Sequence, residues 1–256
     1  MKKAFLTIWV VYLGLINVSG GGETVAIEPQ RMGRIPKLML WAWERPEDLR
    51  FINPEGVGIA YLATTITIRR GKVSVHPRLQ RLQFPPNCVL VGVARIEIIP
   101  TESVLQQEST AVTLASTILT SVPIERIKAL QIDFDARKAE RGLYQEVLVR
   151  LRSSLPDSVG LSITALASWC LDDNWLAGLP IDEAVPMLFR MGVDHHEIAQ
   201  QLHQGRDFRL ECSSSVGLSV DEQIVRMFPD RRAYIFNPKP WSKPVFDAVV
   251  QQIKGQ

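Results

Sequence analysis

Ala129-Leu130-Gln131-Ile132-Asp133-Phe134-Asp135-Ala136-Arg137 alternates apolar Leu130, Ile132 and Phe134 with polar Gln131, Asp133 and Asp135. A strand has a side-chain period of two, so the three polar residues share one face. Asp133 and Asp135 then stand about 6.6 Å apart along the strand. Like charges at that spacing raise the pKa of at least one of the two, which is how acid–base pairs are made. The competing reading is a solvated pair, or one ion-paired to Arg137 and Arg141. The rest of the chain decides between them.

Buried apolar runs recur on both sides of this strand. Lys37–Trp43, Val57–Ile68 and Cys88–Ile98 precede it, and Gly160–Ala167, Glu183–Arg190, Arg209–Ser213 and Arg232–Phe236 follow it. Val57–Ile68 is expected to turn at Arg69-Arg70-Gly71-Lys72 into a hairpin with Val73-Ser74-Val75, with Gly in the turn. Helical patterns fall at Ser103–Ser121, Lys138–Ser154, His195–His203 and Lys243–Ile253, and short turns of helix at Pro46–Leu49 and Asp173–Ala177. Asp194 is expected to cap the helix that Gly205 closes, and Ser219-Val220-Asp221-Glu222 reads as a capping box opening a helix to Phe228. Strands of parallel type alternating with helices predict a single α/β (β/α)8 TIM-like barrel over residues 34–256, with some helices short or missing. A doubly wound open sheet is the alternative, weakened because Trp43-Glu44-Arg45-Pro46 stands where a Gly-rich loop would follow strand one.

Met1-Lys2-Lys3 is followed by an apolar run from Ala4 to Val18 and then Ser19-Gly20-Gly21-Gly22. This reads as a signal peptide over residues 1–22, with an uncleaved anchor as the alternative, and predicts an exported protein. The formal net charge is +2, both units of which Lys2 and Lys3 supply. The remainder is near neutral and has no basic stretch, which argues against a nucleic-acid partner; membrane contact is expected only through the N-terminal segment. Cys88, Cys170 and Cys212 are too few for a disulfide framework and read as buried thiols; one bridge and one free thiol is the alternative. No nucleotide loop, flavin or haem motif or zinc spacing is present, so no cofactor or metal is expected.

In such a barrel the chemistry sits at the C-terminal strand ends. The residues expected there are Trp43 and Glu44 from strand one, Arg95 and Glu97 from strand three, and Asp133 and Asp135 from strand four. Strand five is followed by Trp169, strand six ends in Arg190, strand seven offers Glu211, and strand eight leads into Asn237 and Trp241. Aromatic faces stack on sugar rings, while carboxylates, amides and guanidinium groups bind hydroxyls, so the set has the composition of a carbohydrate cleft. Glycoside hydrolysis needs a pair of carboxyl groups. Each residue also has a bland reading: core packing for the Trp residues, a structural ion pair for Arg95 and Glu97, a solvated or Arg209-paired Glu211.

LWAWERPEDL (Leu40–Leu49), GVARIE (Gly92–Glu97), LQIDFDAR (Leu130–Arg137), LSITALASWCLDDNWL (Leu161–Leu176), AVPMLFRMG (Ala184–Gly192), GLSVDE (Gly217–Glu222) and FNPKPW (Phe236–Trp241) together resemble an uncharacterised bacterial family, one of the numbered domains of unknown function. The resemblance runs from Pro36 to Trp241 and brings no established activity. More distantly, LQIDFD is similar to the strand-four signature Asp-x-x-Asp-x-Asp-x-Glu of chitinase-like glycoside hydrolase barrels. That similarity implies Asp135 as the acid and Asp133 as the residue that orients or tunes it, with Gln131 where an earlier Asp is expected. In the other register Arg137 takes the acid position, which would abolish that chemistry. The expected function is an exported glycoside-hydrolase-like barrel acting on or binding an envelope or extracellular polysaccharide. The alternative is a non-catalytic carbohydrate-binding or envelope structural protein that has lost its acid.

Overall fold

A computed structural model describes residues 31–99, 107–226 and 228–254. The expected signal segment and the start of the helix expected at Ser103 lie outside them. The strands are β1 (Leu38–Ala42), β2 (Glu47–Asp48), β3 (Val57–Arg69), β4 (Lys72–Pro77), β5 (Leu82–Gln83), β6 (Leu90–Ile99), β7 (Ala129–Asp133), β8 (Gly160–Leu166), β9 (Glu183–Met187), β10 (Ser215–Ser219) and β11 (Arg232–Phe236). The helices are α1 (Gln107–Ser121), α2 (Arg141–Ser154), α3 (Ala167–Leu171), α4 (His195–His203) and α5 (Lys243–Lys254). Eight parallel strands run in the order β1-β11-β10-β9-β8-β7-β6-β3, and β3 pairs back with β1, so the sheet closes into a (β/α)8 TIM-like barrel. None of the helices among the described residues is long and apolar enough to cross a membrane.

Period-two alternation sorts each strand into two faces. Leu40, Ile59, Leu130, Ile132, Leu161, Ile163, Leu218 and Ile235 belong to the layer between barrel and helices, together with Leu114 and Ile118 of α1 and Leu143, Val147 and Leu151 of α2. Met39, Trp41, Ala60, Leu62, Val91, Val93, Ala129, Val185 and Tyr234 fill the interior. Gly217 leaves the β10 interior position open. A Cβ there would stand 3.1 Å from Trp41 Cη2, so the missing side chain admits the indole. Trp41 Nε1–H in turn donates to Gln131 Oε1 at 2.9 Å.

The second unit has no helix. β3 and β6 run on past the C-terminal rim, and β4 pairs antiparallel with the β3 extension. Arg70 (φ 50°) and Gly71 (φ 72°) make the turn, as a two-residue hairpin with positive φ at both positions requires. The register shifts between Leu62 and Thr64, which carries Thr65 opposite Arg95 and Thr67 opposite Glu97. A short wall of sheet thus rises beside the barrel mouth.

Several local expectations are corrected. Pro46–Leu49 is not helical: Glu47–Asp48 pairs as β2 with β5, and buried Glu47 accepts from Arg45 Nε (2.7 Å) and from the Trp241 amide (2.8 Å). Arg209–Ser213 is not strand seven; Leu210–Cys212 is a 3-10 turn, and the strand is Ser215–Ser219. Its central inward position, Gly217, must stay small beside Trp41, and Ser215 and Ser219 share that face, so it lacks the bulky residues that mark a strand. No helix opens at Ser219, which ends β10 and donates its hydroxyl to Asp221. Strand six ends at Met187 rather than Arg190, and the Asp194 side chain makes no cap bond to α4. The helical turn after strand five lies at α3, ahead of Asp173. The three-thiol reading of the cysteines also fails. Cys170 and Cys212 form a disulfide with Cα atoms 5.8 Å apart, tying α3 to the 3-10 turn before β10, and Cys88 is the free thiol. Burial pushes the Cys88 thiol up to about 11.

Candidate active site at the barrel mouth

The strands deliver Asp133, Arg95 and Trp43 to the same end of the barrel. Two adjoining recesses open there. The larger, about 330 Å³, is lined by Trp43, Asp133, Asp135, Phe189, Arg190 and Phe236 among others. The smaller, about 200 Å³, is lined by Glu97, Phe134, Arg137 and Glu140. Arg95, Asp133 and Asp135 line both, so the carboxylate pair stands where the recesses meet.

The two carboxylates differ in surroundings. Asp133 ends β7, with its side chain only 14% exposed. Thr164 Oγ1–H donates to its Oδ1 at 2.8 Å, and Arg95 Nη1 lies 3.4 Å from its Oδ2. Burial raises the Asp133 pKa above the ordinary carboxylate value; Arg95 and the Thr164 hydroxyl oppose the rise, and the Asp135 and Glu97 charges add to it. Asp135, two residues on and past the strand end, is exposed and accepts no hydrogen bond among the described residues. The alternation of the sequence therefore places Gln131, Asp133 and Asp135 on one face, graded from the sealed interior to solvent. Gln131 is wholly buried and donates to Ser162 Oγ at 3.2 Å.

Aromatic rings line the opposite side. Phe189 and Phe236 stack nearly parallel (4°) at 5.5 Å, and Trp43 meets Phe236 edge-on at 5.9 Å. Arg95 lies over the Trp43 ring at 5.4 Å and donates Nε–H to Glu97 at 2.8 Å. The loop that carries Trp43 is pinned from behind by Arg78, whose guanidinium donates to the carbonyls of Ala42 (3.2 Å), Trp43 and Arg45 (2.6 Å). Burial lowers the Arg78 pKa, and the charges of Glu47 and Glu44 resist that.

Of the residues expected at the mouth, Trp43, Arg95, Glu97, Asp133, Asp135 and Arg190 line the recesses. The others are placed elsewhere. Trp169 is 5% exposed and packs edge-on against Trp175 at 4.9 Å, outside the barrel. Trp241 is equally buried, its indole N–H donating to the Trp41 carbonyl at 2.9 Å. Asn237 is a turn residue whose Oδ1 accepts from the Lys239 amide at 3.0 Å. Glu211 lies in the 3-10 turn ahead of β10 and lines neither recess. Glu44 is exposed but lines neither recess.

Thr164, Phe189 and Phe236 enter the site without having been singled out in the sequence. Thr164 repeats the inward phase of Ser162, a signal that alternation carries. Phe189 and Phe236 each adjoin a residue that was named, Arg190 and Asn237. Among the described residues no group of three His, Cys, Asp or Glu side chains could hold a metal ion. The chain matches no model of a known protein family and no curated protein.

Proposed function

We propose that the protein is an exported, glycoside-hydrolase-like barrel that acts on or binds a polysaccharide of the envelope or extracellular space. The observation that carries this reading is the unequal pair Asp133 and Asp135 at the junction of two recesses, facing a wall of stacked rings. A glycosidase needs one carboxyl that holds its proton and another that stays ionised. Burial favours the protonated form of Asp133, while Asp135 lies open to solvent. The roles implied by the chitinase-like resemblance are thereby exchanged: Asp133 donates the proton to the leaving oxygen, and Asp135 supports the developing positive charge or activates water. The Cys170–Cys212 disulfide supports export, since such bonds persist in oxidising compartments.

A second reading, a binder without turnover, is favoured by the contacts that tie Asp133 to Arg95 and Thr164, because they hold its carboxylate for structure. One experiment separates the two. The disulfide-intact protein and its Asp133→Asn and Asp135→Asn variants are incubated with a polysaccharide panel, and both reducing ends and retention are measured. Hydrolysis predicts product release that falls by about 10²-fold or more in Asp133→Asn. Retention without product points to the binder. Release that is equal in wild type and both variants sinks the assignment of the pair.

A further inference from the structure

Arg190 is held in place more firmly than a surface arginine needs to be. It follows β9 with φ +53°, in the left-handed region that side chains bearing a Cβ rarely adopt. Its amide donates to both carboxylate oxygens of Glu222 at 3.1 Å. Its Nη2 donates to Asp221 at 3.3 Å, and Asp221 is itself anchored by the Ser219 hydroxyl. Its guanidinium lies 5.0 Å from the Phe236 ring centre and 6.0 Å from that of Phe189.

These contacts use little of what the guanidinium offers. Arginine carries five N–H donors in a planar fork. Among the described residues Nε and Nη1 of Arg190 make no hydrogen bond, and the side chain is 52% exposed. Arg95, across the same recess, is occupied by Glu97 and Asp133. Arg137, on the smaller recess, lies over no aromatic ring among the described residues. Arg190 is thus a pre-positioned cation with free donors, in the recess that also contains Asp133 and Asp135 but two strands round the barrel from them. A planar fork of this kind matches a carboxylate.

We infer that Arg190 binds a carboxylate substituent of the saccharide, so that the polysaccharide recognised is an acidic one. The inference rests on the polysaccharide reading above and specifies its substrate class. The ring seated against the half-buried Phe236 and Trp43 would carry the carboxylate, leaving the neighbouring linkage to face the Asp pair.

Matched probes test it: immobilised polygalacturonate against its methyl ester, and hyaluronan against its carboxyl-reduced form. Wild type is expected to retain the acidic member of at least one pair over its neutral counterpart. In Arg190→Gln that retention falls about tenfold or more, the loss expected for a charge-assisted hydrogen bond. Arg190→Gly is the control for folding, because glycine accepts the positive φ and removes only the side chain. It must melt at or above the wild-type temperature and lose the preference equally. Equal retention of neutral and acidic members overturns the inference and leaves the polysaccharide reading standing. A preference that survives in Arg190→Gly also overturns it. Retention of neither kind overturns both.

Discussion

The two ends of the barrel use the same ingredients, an arginine and a carboxylate paired across inward positions, and put them to opposite use. At the N-terminal end Arg232 and Glu183 form an ion pair with both side chains fully buried. Every strong partner is supplied there: Glu183 accepts from Arg232, from Ser162 Oγ (2.9 Å) and from Tyr234 Oη (2.9 Å). Arg232 donates also to the carbonyls of Pro36 (3.1 Å), Met32 (2.9 Å) and Ile35 (3.3 Å), which fold beneath the barrel and seal it. At the C-terminal end Arg95 is 39% exposed, and shared between Glu97 and Asp133. A saturated buried pair fixes geometry, because removing one partner strands the other charge. A half-solvated set leaves donors, acceptors and a protonation equilibrium available for a ligand.

The largest effect is therefore expected at the closed end. Glu183→Gln leaves the Arg232 charge buried without a counter-charge and is expected to cost about 3–5 kcal/mol, the range for breaking a buried pair. Thermal or urea unfolding measures it. A loss below about 1 kcal/mol, the range for exposed pairs, would erase the distinction between the two ends.

The sequence carried the alternation of β7 and the closing of the hairpin at Arg70-Gly71, because both follow from local sterics and side-chain period. It carried the joint placement of Asp133, Asp135, Arg95 and Glu97 for the same reason: positions two apart on one strand share a face, and neighbouring parallel strands present that face together. It did not carry β10. Gly217 is small because the Trp41 indole, two strands round the barrel on β1, lies against it, and that demand comes from a residue far away in the chain. Trp169 and Trp241 were misplaced as sugar platforms because an indole after a strand reads alike whether it faces the mouth or the helix layer. The burial of Glu183 and Arg232 was invisible too, since two charged residues at strand starts look solvated until the strands close around them. The Cys170–Cys212 pairing likewise needed the fold to bring α3 beside the turn that precedes β10.

Asp133 gives the next test, with a sign opposite to that of a stabilising ion pair. Its folded pKa is raised above the ordinary value of 3.8. Its contribution to stability is then fully present below about pH 3.8, and is lost as pH rises through the folded value, because the native state binds the proton more readily than the unfolded chain. Asp133→Asn removes that titration. The Tm difference, variant minus wild type, is expected to grow more positive between pH 4 and pH 8. A difference that grows more negative would mean that Arg95 and Thr164 outweigh burial, and that the mouth stabilises the fold as the closed end does.

The smallest change in stability is expected from Arg95→Gln. Arg95 and Glu97 are both well exposed, 39% and 43%, and exposed pairs are worth about 0.2–1 kcal/mol. The contact with the Trp43 ring adds on the order of 0.5–1 kcal/mol for an exposed cation over an aromatic face. The unfolding midpoint should therefore move far less than in Glu183→Gln. The consequence for Asp133 is larger than the consequence for the fold. Arg95 is the strongest of the influences holding the Asp133 pKa down against burial, so its removal lets that pKa rise further. Carboxyl-carbon NMR titration of Asp133 in wild type and Arg95→Gln reads this directly, and an upward shift with a nearly unchanged Tm is the expected pair of results. An unmoved titration would place the control of Asp133 in Thr164 alone. A midpoint that falls as far as in Glu183→Gln would show that the mouth is braced as rigidly as the base, in which case an open, proton-poised site is the wrong description of it.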